Sequence, residues 1–239
     1  MSDEVIKRLQ NASRVAVLTG AGVSAESGIP TFRGEDGIWK DYRAEDLATP
    51  GAFQRDPDLV WEWYHWRRDI VSAASPNAAH RALVRIEEMA PAFVLITQNV
   101  DGLHLEAGSR EVLEIHGNLR RARCSGCDDT VHLTDEDGLI ECGKCGFPMR
   151  PDVIWFGEDL APDILERSFA AAANADFFLV AGTSSVVQPA SSLAWIAGQN
   201  NGFVLEVNLD PTPLTGHADA ALLGKAGDIL SRLVDEVWG

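Results

Sequence analysis

The feature that most constrains the fold is a junction. An apolar, valine-rich run at residues 15–18 opens directly into Thr19-Gly20-Ala21-Gly22. A short continuous apolar run of this kind reads as a strand buried on both faces. The glycines that follow let the backbone turn sharply and approach a phosphate. Gly20, Gly22 and Ala25 fit the G-x-G-x-x-G/A spacing of a dinucleotide-binding turn. A dehydrogenase would next enter a second strand and place an acid on the adenosine ribose about 20 residues on. Here residues 27–34 read Ser-Gly-Ile-Pro-Thr-Phe-Arg-Gly, too rich in turn formers for a strand. The turn therefore reads as a nucleotide site altered for chemistry other than hydride transfer.

Further strand-like runs occupy residues 92–97, 112–115, 175–181 and 203–208. Helical patterns fall at 56–70, from Ser75-Pro76 to just before Pro91, at 162–174, after Pro189, and at about 226–237. The first of these opens with Asp56 as cap and Pro57 at the first helical position. It sets Val60, Trp63, Trp66 and Ile70 on one face. Residues 35–55 read as irregular, because Gly37, Pro50 and Gly51 interrupt any period. Strands alternating with helices predict an α/β fold, a parallel sheet with helices on both faces. The α/β parts are 1–34, 75–117 and 152–239. The stretches that break the alternation, 35–74 and 118–151, are expected to form a small second domain. Ligands of such sheets bind at the carboxyl ends of the strands.

The four cysteines, Cys124, Cys127, Cys142 and Cys145, form two Cys-x2-Cys pairs across a 14-residue gap. That spacing predicts one Zn(Cys)4 site rather than two disulfides. Four sulfur ligands leave no position for water, so the metal is expected to be structural. Gly126, Gly143 and Gly146 are expected to relieve the tight turns.

A formal net charge of −16 repels phosphates and disfavours nucleic acid as the main partner. Only four of the 20 basic residues are lysines: Lys7, Lys40, Lys144 and Lys225. Acidic excess with scarce lysine fits adaptation to high salt, and it equally fits an ordinary acidic protein from a GC-rich genome. No apolar run approaches a membrane span, and the acidic start lacks a signal peptide's pattern, so a cytoplasmic location is the default.

Several strand ends carry candidate chemistry. Asn99 and Asp101, after the strand at 92–97, could hold a carboxamide; the plainer reading is an Asx turn capping the next helix. His116, at a strand end just before the cysteine module, could act as a general base. Gly182, Thr183 and Ser184 offer small groups and hydroxyls to phosphate or ribose, and Asn208 and Asp210 are placed for the adenosine ribose. Ordinary turn chemistry accounts for both sets equally simply. Residues 153–158 read as an extended segment, either a core strand or an edge to which a peptide could add. Tyr64 and Arg67 share a helix face and could grip a carboxylate, although an exposed arginine beside a half-buried tyrosine is the usual case.

Taken in order, Gly-Ala-Gly-Val-Ser-x-x-Ser-Gly-Ile-Pro-x-Phe-Arg (20–33), Thr-Gln-Asn-Val-Asp (97–101), His116-Gly117, the cysteine quartet, Phe-Gly-Glu (156–158), Gly-Thr-Ser (182–184) and Asn208 resemble the sirtuins. These are NAD-dependent protein-lysine deacylases, and the resemblance spans nearly the whole chain. It implies a Rossmann-like domain, a zinc-binding small domain with a helical insert, and a cleft between them for NAD and an acyl-lysine peptide. It implies that residues 20–39 form a cofactor loop that includes Gly20, Ala21, Gly22, Ser24, Ala25, Thr31, Phe32, Arg33 and Trp39. Gln98, Asn99 and Val100 would line the ribose and nicotinamide region, and Asp101 would hold the carboxamide. Gly182, Thr183, Ser184, Asn208, Leu209, Asp210 and Ala226 would line the phosphate and adenosine side. Val153, Trp155, Phe156 and Gly157 would contact substrate. The implied chemistry consumes NAD: the acyl oxygen attacks C1′ of the ribose, and His116 then deprotonates a ribose hydroxyl. Water finally releases lysine and O-acyl-ADP-ribose.

Many sirtuins carry Asp before Phe-Arg, where this chain has Thr31. Members with Thr there often carry Tyr-x-x-Arg, matched here by Tyr64 and Arg67, and Ala48 resembles the small residue that widens their acyl pocket. The resemblance thus implies the desuccinylase-type subgroup, acting on succinyl or malonyl groups alongside acetyl. Partners expected are acyl-lysine proteins or peptides and NAD, and the enzyme itself is expected to be a monomer. The competing classes are a plain deacetylase, a mono-ADP-ribosyltransferase, a non-catalytic NAD sensor, and a zinc-ribbon nucleic-acid binder using Arg120, Arg121 and Arg123.

Overall fold

The computed structural model describes residues 1–31, 42–134 and 140–239. Its main layer is a six-stranded sheet. In chain order the strands are β1 (Arg14–Thr19), β2 (Ala92–Thr97), β3 (Val112–Glu114), β7 (Phe177–Ala181), β8 (Phe203–Asn208) and β9 (Ala220–Leu223). Their spatial order is β3-β2-β1-β7-β8-β9, and every pairing is parallel. The chain thus starts in the middle, works out to one edge, then returns to the other side of β1. That is the Rossmann order, and β1 and β7 flank its switch point.

Side chains alternate between two apolar faces. Val15, Val17, Leu95, Leu179 and Leu205 pack on one side under α1 (Asp3–Gln10), α6 (Ala78–Met89) and α10 (Ala226–Trp238). Ala16, Leu18, Ile96, Phe178, Val180 and Val204 pack on the other under α8 (Pro162–Asn174) and α9 (Ser192–Gln199). All five residues of β7 are buried, as a strand covered on both faces requires.

A second, antiparallel sheet of β4 (Gly117–Cys124), β5 (Thr130–His132) and β6 (Met149–Val153) has the order β5-β4-β6. It shares an apolar core with α3 (Ala44–Leu47), α4 (Pro50–Arg55) and α5 (Pro57–Ala73), including Trp61, Trp63, Tyr64, Leu119 and Trp155. Asp56 caps α5, accepting from the Leu59 amide at 2.9 Å, as its sequence predicts.

Four expectations need correction. Residues 44–47 and 50–55 are helical, not irregular: Pro50 opens α4 at its first turn and Thr49 caps it, accepting from Ala52 N at 3.1 Å. The buried stripe of α5 runs through Val60, Tyr64, Arg67 and Val71, whereas Trp66 and Ile70 are only partly covered. Hydropathy misses this stripe because Arg67 buries its guanidinium over the Trp63 ring, 4.9 Å from its centroid. The helix expected to start at Ser75-Pro76 begins at Ala78, with Asn77 as its cap. Finally, β6 ends at Val153 and the chain turns at Phe156 and Gly157, where φ is +86°, so residues 154–158 do not continue as a core strand.

Candidate active site

The crevice at the switch point is built from two interlocked turns. Gly20 N donates to Ala181 O at 3.0 Å, and Gly22 N to Gly182 O at 2.8 Å. A Cβ on Gly20 would lie 2.7 Å from Thr183 Cβ, and one on Gly22 would lie 2.8 Å from Gly182 Cα. What demands glycine in the Gly-Ala-Gly turn is therefore the neighbouring turn after β7. Gly182 answers with φ of +61°.

Behind these turns lies a chain of buried polar groups. Asn99 Nδ2 donates to Gly20 O and Ser24 Oγ, each at 3.1 Å, and Ser24 Oγ donates to Asp101 Oδ2 at 2.8 Å. The other oxygen, Asp101 Oδ1, accepts from Leu103 N at 2.9 Å, which is the Asx turn opening α7 (Leu103–Ala107). Burial raises the Asp101 carboxyl above its ordinary range, partly offset by the Leu103 amide and the Ser24 hydroxyl. Below them Thr19 Oγ1 donates to Thr97 Oγ1 at 2.8 Å, and Thr97 Oγ1 also accepts from Asn99 N at 3.0 Å. His104 Nε2 lies 2.9 Å from Thr19 Oγ1, and its ring packs 4.8 Å from that of His80.

His116 follows β3 and faces the cleft. Its Nδ1 lies 3.1 Å from the Gln98 carbonyl, which can only accept, so Nδ1 carries the proton and Nε2 holds a free lone pair. Burial lowers its pKa from the ordinary histidine value, and the Gln98 bond opposes that in part. At neutral pH the ring is the neutral, base-competent form. Gln98 also donates from Nε2 to Thr183 Oγ1 at 2.8 Å.

The cleft encloses about 1520 Å³. It brings together Gly20, Ala21, Gly22, Ala25, Thr31, Gln98, Asn99, Val100, His116, Gly182, Thr183, Ser184, Asn208, Leu209, Asp210 and Ala226. Ala48, Tyr64, Arg67, Val153, Trp155, Phe156 and Gly157 line the same cleft. Ser24 and Asp101 do not; they stand behind Asn99. Phe32, Arg33 and Trp39 lie outside the described residues. At the Ala48 end, Trp155 Nε1 donates to Tyr64 Oη at 2.8 Å, and Phe156 N donates to Ala48 O at 2.9 Å. Burial raises the Tyr64 pKa, so its phenol stays protonated. Its oxygen accepts from Trp155, and the Arg67 guanidinium lies beside its ring, 5.6 Å from the centroid.

The Sir2 family profile matches residues 20–189, which hold both interlocked turns, His116 and the cysteine quartet. This chain is a sirtuin. It is 49% identical over 240 residues to an NAD-dependent protein deacylase of Archaeoglobus fulgidus, covering 99% of this chain and 98% of that one. It is 51% identical over 225 residues to one of Thermus thermophilus, covering 92% and 89%. A solved Sir2 homologue–NAD complex superposes with a TM-score of 0.94 at 49% identity, covering 99% and 94%. A Sir2–p53 peptide–NAD+ structure superposes at 0.88 with 30% identity, covering 99% and 98%.

The sirtuin's four cysteines converge as their spacing predicts. All four Sγ atoms lie within 4.8 Å of one another, with pairs at 3.3, 3.4 and 3.7 Å. A tetrahedron with Zn–S bonds of about 2.3 Å has edges of about 3.8 Å, so the set fits a structural zinc. Gly126 N and Lys144 N donate to Cys124 and Cys142 Sγ at 3.2 and 3.4 Å, orienting the thiolates. Of the three glycines expected to ease these turns, Gly146 has a positive φ and Gly126 packs under Phe147; Gly143 meets nothing.

Sequence reasoning missed several cleft residues of the sirtuin. Pro211, Thr212 and Lys225 line the cleft too, next to the polar strand end at Asn208 that was the available signal. Glu26 Oε1 accepts from Gly227 N at 2.8 Å and so ties the first turn to the start of α10. No local pattern announces a contact 201 residues apart. The arginines read as a basic patch are each paired: Arg120 with Glu106, Arg121 with Glu114 and Asp152, and Arg123 with Glu158.

Proposed function

We propose that this sirtuin, an NAD-dependent protein deacylase, removes succinyl and malonyl groups as well as acetyl from lysine, releasing nicotinamide and O-acyl-ADP-ribose. The observation that carries the acyl preference is the Ala48 end of the cleft. There the Arg67 guanidinium and the Tyr64 hydroxyl share one wall, beside the small Ala48. A cation and an O–H donor on adjacent turns of α5 complement a terminal carboxylate. Low surrounding dielectric strengthens that contact.

The remaining assignments follow the cleft. NAD supplies the glycosidic bond that is broken. Gly20, Ala21, Gly22, Ala25, Gly182, Thr183 and Ser184 bind its phosphates and riboses, and Asn208, Leu209, Asp210 and Ala226 hold the adenosine end. Asn99 reaches the nicotinamide side, held in place by Ser24 and, through Ser24, by Asp101. His116 accepts a ribose hydroxyl proton at Nε2. Trp155 and Phe156 cover the acyl-lysine and exclude water. The two sheets correspond to two domains, 1–34 with 75–117 and 152–239, and 35–74 with 118–151. The cofactor side of the cleft belongs to the first; the acyl side takes Ala48, Tyr64 and Arg67 from the second and Trp155 and Phe156 from the first.

One peptide series tests this reading. Matched acetyl, malonyl and succinyl peptides are assayed with NAD, and products are identified by mass spectrometry, with His116→Tyr as blank. Arg67→Met is expected to lower kcat/KM for the acidic acyl groups roughly 10–150-fold, the worth of a charge-assisted contact, and to spare acetyl. An equal loss on all peptides makes the enzyme a plain deacetylase. ADP-ribose attached to protein, in place of O-acyl-ADP-ribose, makes it a mono-ADP-ribosyltransferase. Among the described residues no helix is long and apolar enough to cross a membrane.

A further inference from the structure

Glu206 stands at the centre of β8 with no exposed surface. Alternation along β8 puts its side chain on the face of Val204, the apolar face that holds Leu193, Ala194 and Leu214. An apolar residue would fill that place without loss to β8, and a buried carboxylate is costly unless hydrogen-bonded. Both of its oxygens are bonded, and both to one segment. Oε1 accepts from Thr212 Oγ1, and Oε2 accepts from Thr215 Oγ1 at 2.5 Å. The two threonines also brace each other's turn. Thr212 N donates to Thr215 Oγ1 at 2.8 Å, and Leu214 N donates to Thr212 Oγ1 at 3.0 Å. Leu214, between them, is 4% exposed and plugs the segment into the core. Leu209, Asp210, Pro211, Thr212 and Pro213 of this segment line the cleft. A carboxylate inside the sheet thus fixes the shape of a surface it never reaches.

We propose that Glu206 is a positioning residue for NAD, holding residues 209–215 in the one form that receives the adenosine end. The proposal rests on the reading above that Asn208 to Asp210 bind that end. It separates Glu206 from a residue that merely stabilises the fold, because the benefit is confined to one part of one ligand.

The test is binding of ADP-ribose by calorimetry, paired with steady-state kinetics, for wild type, Glu206→Leu, Glu206→Gln and Thr215→Val. Glu206→Leu is expected to weaken ADP-ribose by roughly tenfold, the scale of losing hydrogen bonds to a charged group. KM for NAD should rise in step. The kcat at saturating NAD, KM for acyl peptide and inhibition by free nicotinamide should stay at wild-type values. Glu206→Gln keeps one acceptor and should recover part of the loss. Adding Thr215→Val to Glu206→Leu should cost nothing more. Thr215→Val alone removes one hydroxyl and decides the matter if Glu206→Leu does not fold. Wild-type ADP-ribose affinity in folded variants whose melting temperature has dropped overturns the proposal. A wild-type protein that fails to bind ADP-ribose overturns the adenosine placement, and the proposal with it.

Discussion

His116 draws its character from one hydrogen bond and its burial. The Gln98 carbonyl pins Nδ1–H and leaves Nε2 bare, and burial lowers the ring's pKa. A base must be neutral to work, and this one protonates only below the ordinary histidine value of about 6.5. A pH profile of kcat/KM should therefore hold level down through about pH 6.5, then fall up to tenfold per unit. His116→Ala should be low and flat. A midpoint above that value would contradict the role. His80 and His104 act on stability instead. Burial lowers them to about 4 and about 3. Both are neutral in the fold, so their contribution is whole above about 6.5, the unfolded value. Below that pH the unfolded chain takes up protons that the fold refuses, and each histidine costs about 1.4 kcal/mol per pH unit until its own folded value is reached. Urea unfolding of His80→Asn should show a shallower fall than wild type between about pH 6.5 and 4.5. An identical slope would sink the assignment. Asn99 shows how far the sequence could be read at this scale. Its place at a strand end is visible in Thr-Gln-Asn-Val-Asp. Its partners, Gly20 and Ser24, lie more than 70 residues away and follow only from the sheet order. For Asp101 the Asx turn is present, and the second oxygen is what the turn alone did not foretell.

At the scale of elements, the interlocked turns set the strictest requirement. Gly182 combines a positive φ with no room, since a Cβ there would lie 2.4 Å from Val23 N. Gly182→Ala should cost about 1–2 kcal/mol from the backbone alone, with the clash added. It should also displace the Gly-Ala-Gly turn, weakening ADP-ribose binding. Gly216→Ala meets nothing and should match wild type in both melting and binding. If both variants melt together, the interlock does not constrain the turn. Periodicity located the central strands and α8 well, because residues buried on both faces leave an unbroken apolar run. It failed at α4, where Pro50 and Gly51 sit in the opening turn of a helix, and at α3, whose four residues are too short to show a period. It failed again on α5, where a buried arginine stands in the apolar stripe. Hydropathy cannot distinguish a guanidinium lying on Trp63 from one in water.

On the scale of the whole molecule, the cysteine quartet is separate from the cleft, since no cysteine lines it. Zinc is therefore expected to matter through the antiparallel sheet it staples. Removing it with a chelator should abolish deacylation while ADP-ribose still binds the parallel sheet, and added zinc should restore turnover. Full activity without zinc, or loss of ADP-ribose binding along with it, would show that the two layers are not independent. The sequence made both layers legible, one by alternation and the other by cysteine spacing. It did not show how they meet. That junction is His116 itself: its carbonyl accepts from Ile154 N at 3.0 Å. The next residue, Gly117, has φ of +83°, and a Cβ there would lie 2.0 Å from Asp152 O. The imidazole is thus mounted at a seam where the parallel and antiparallel sheets are stitched together, and its place is fixed by both.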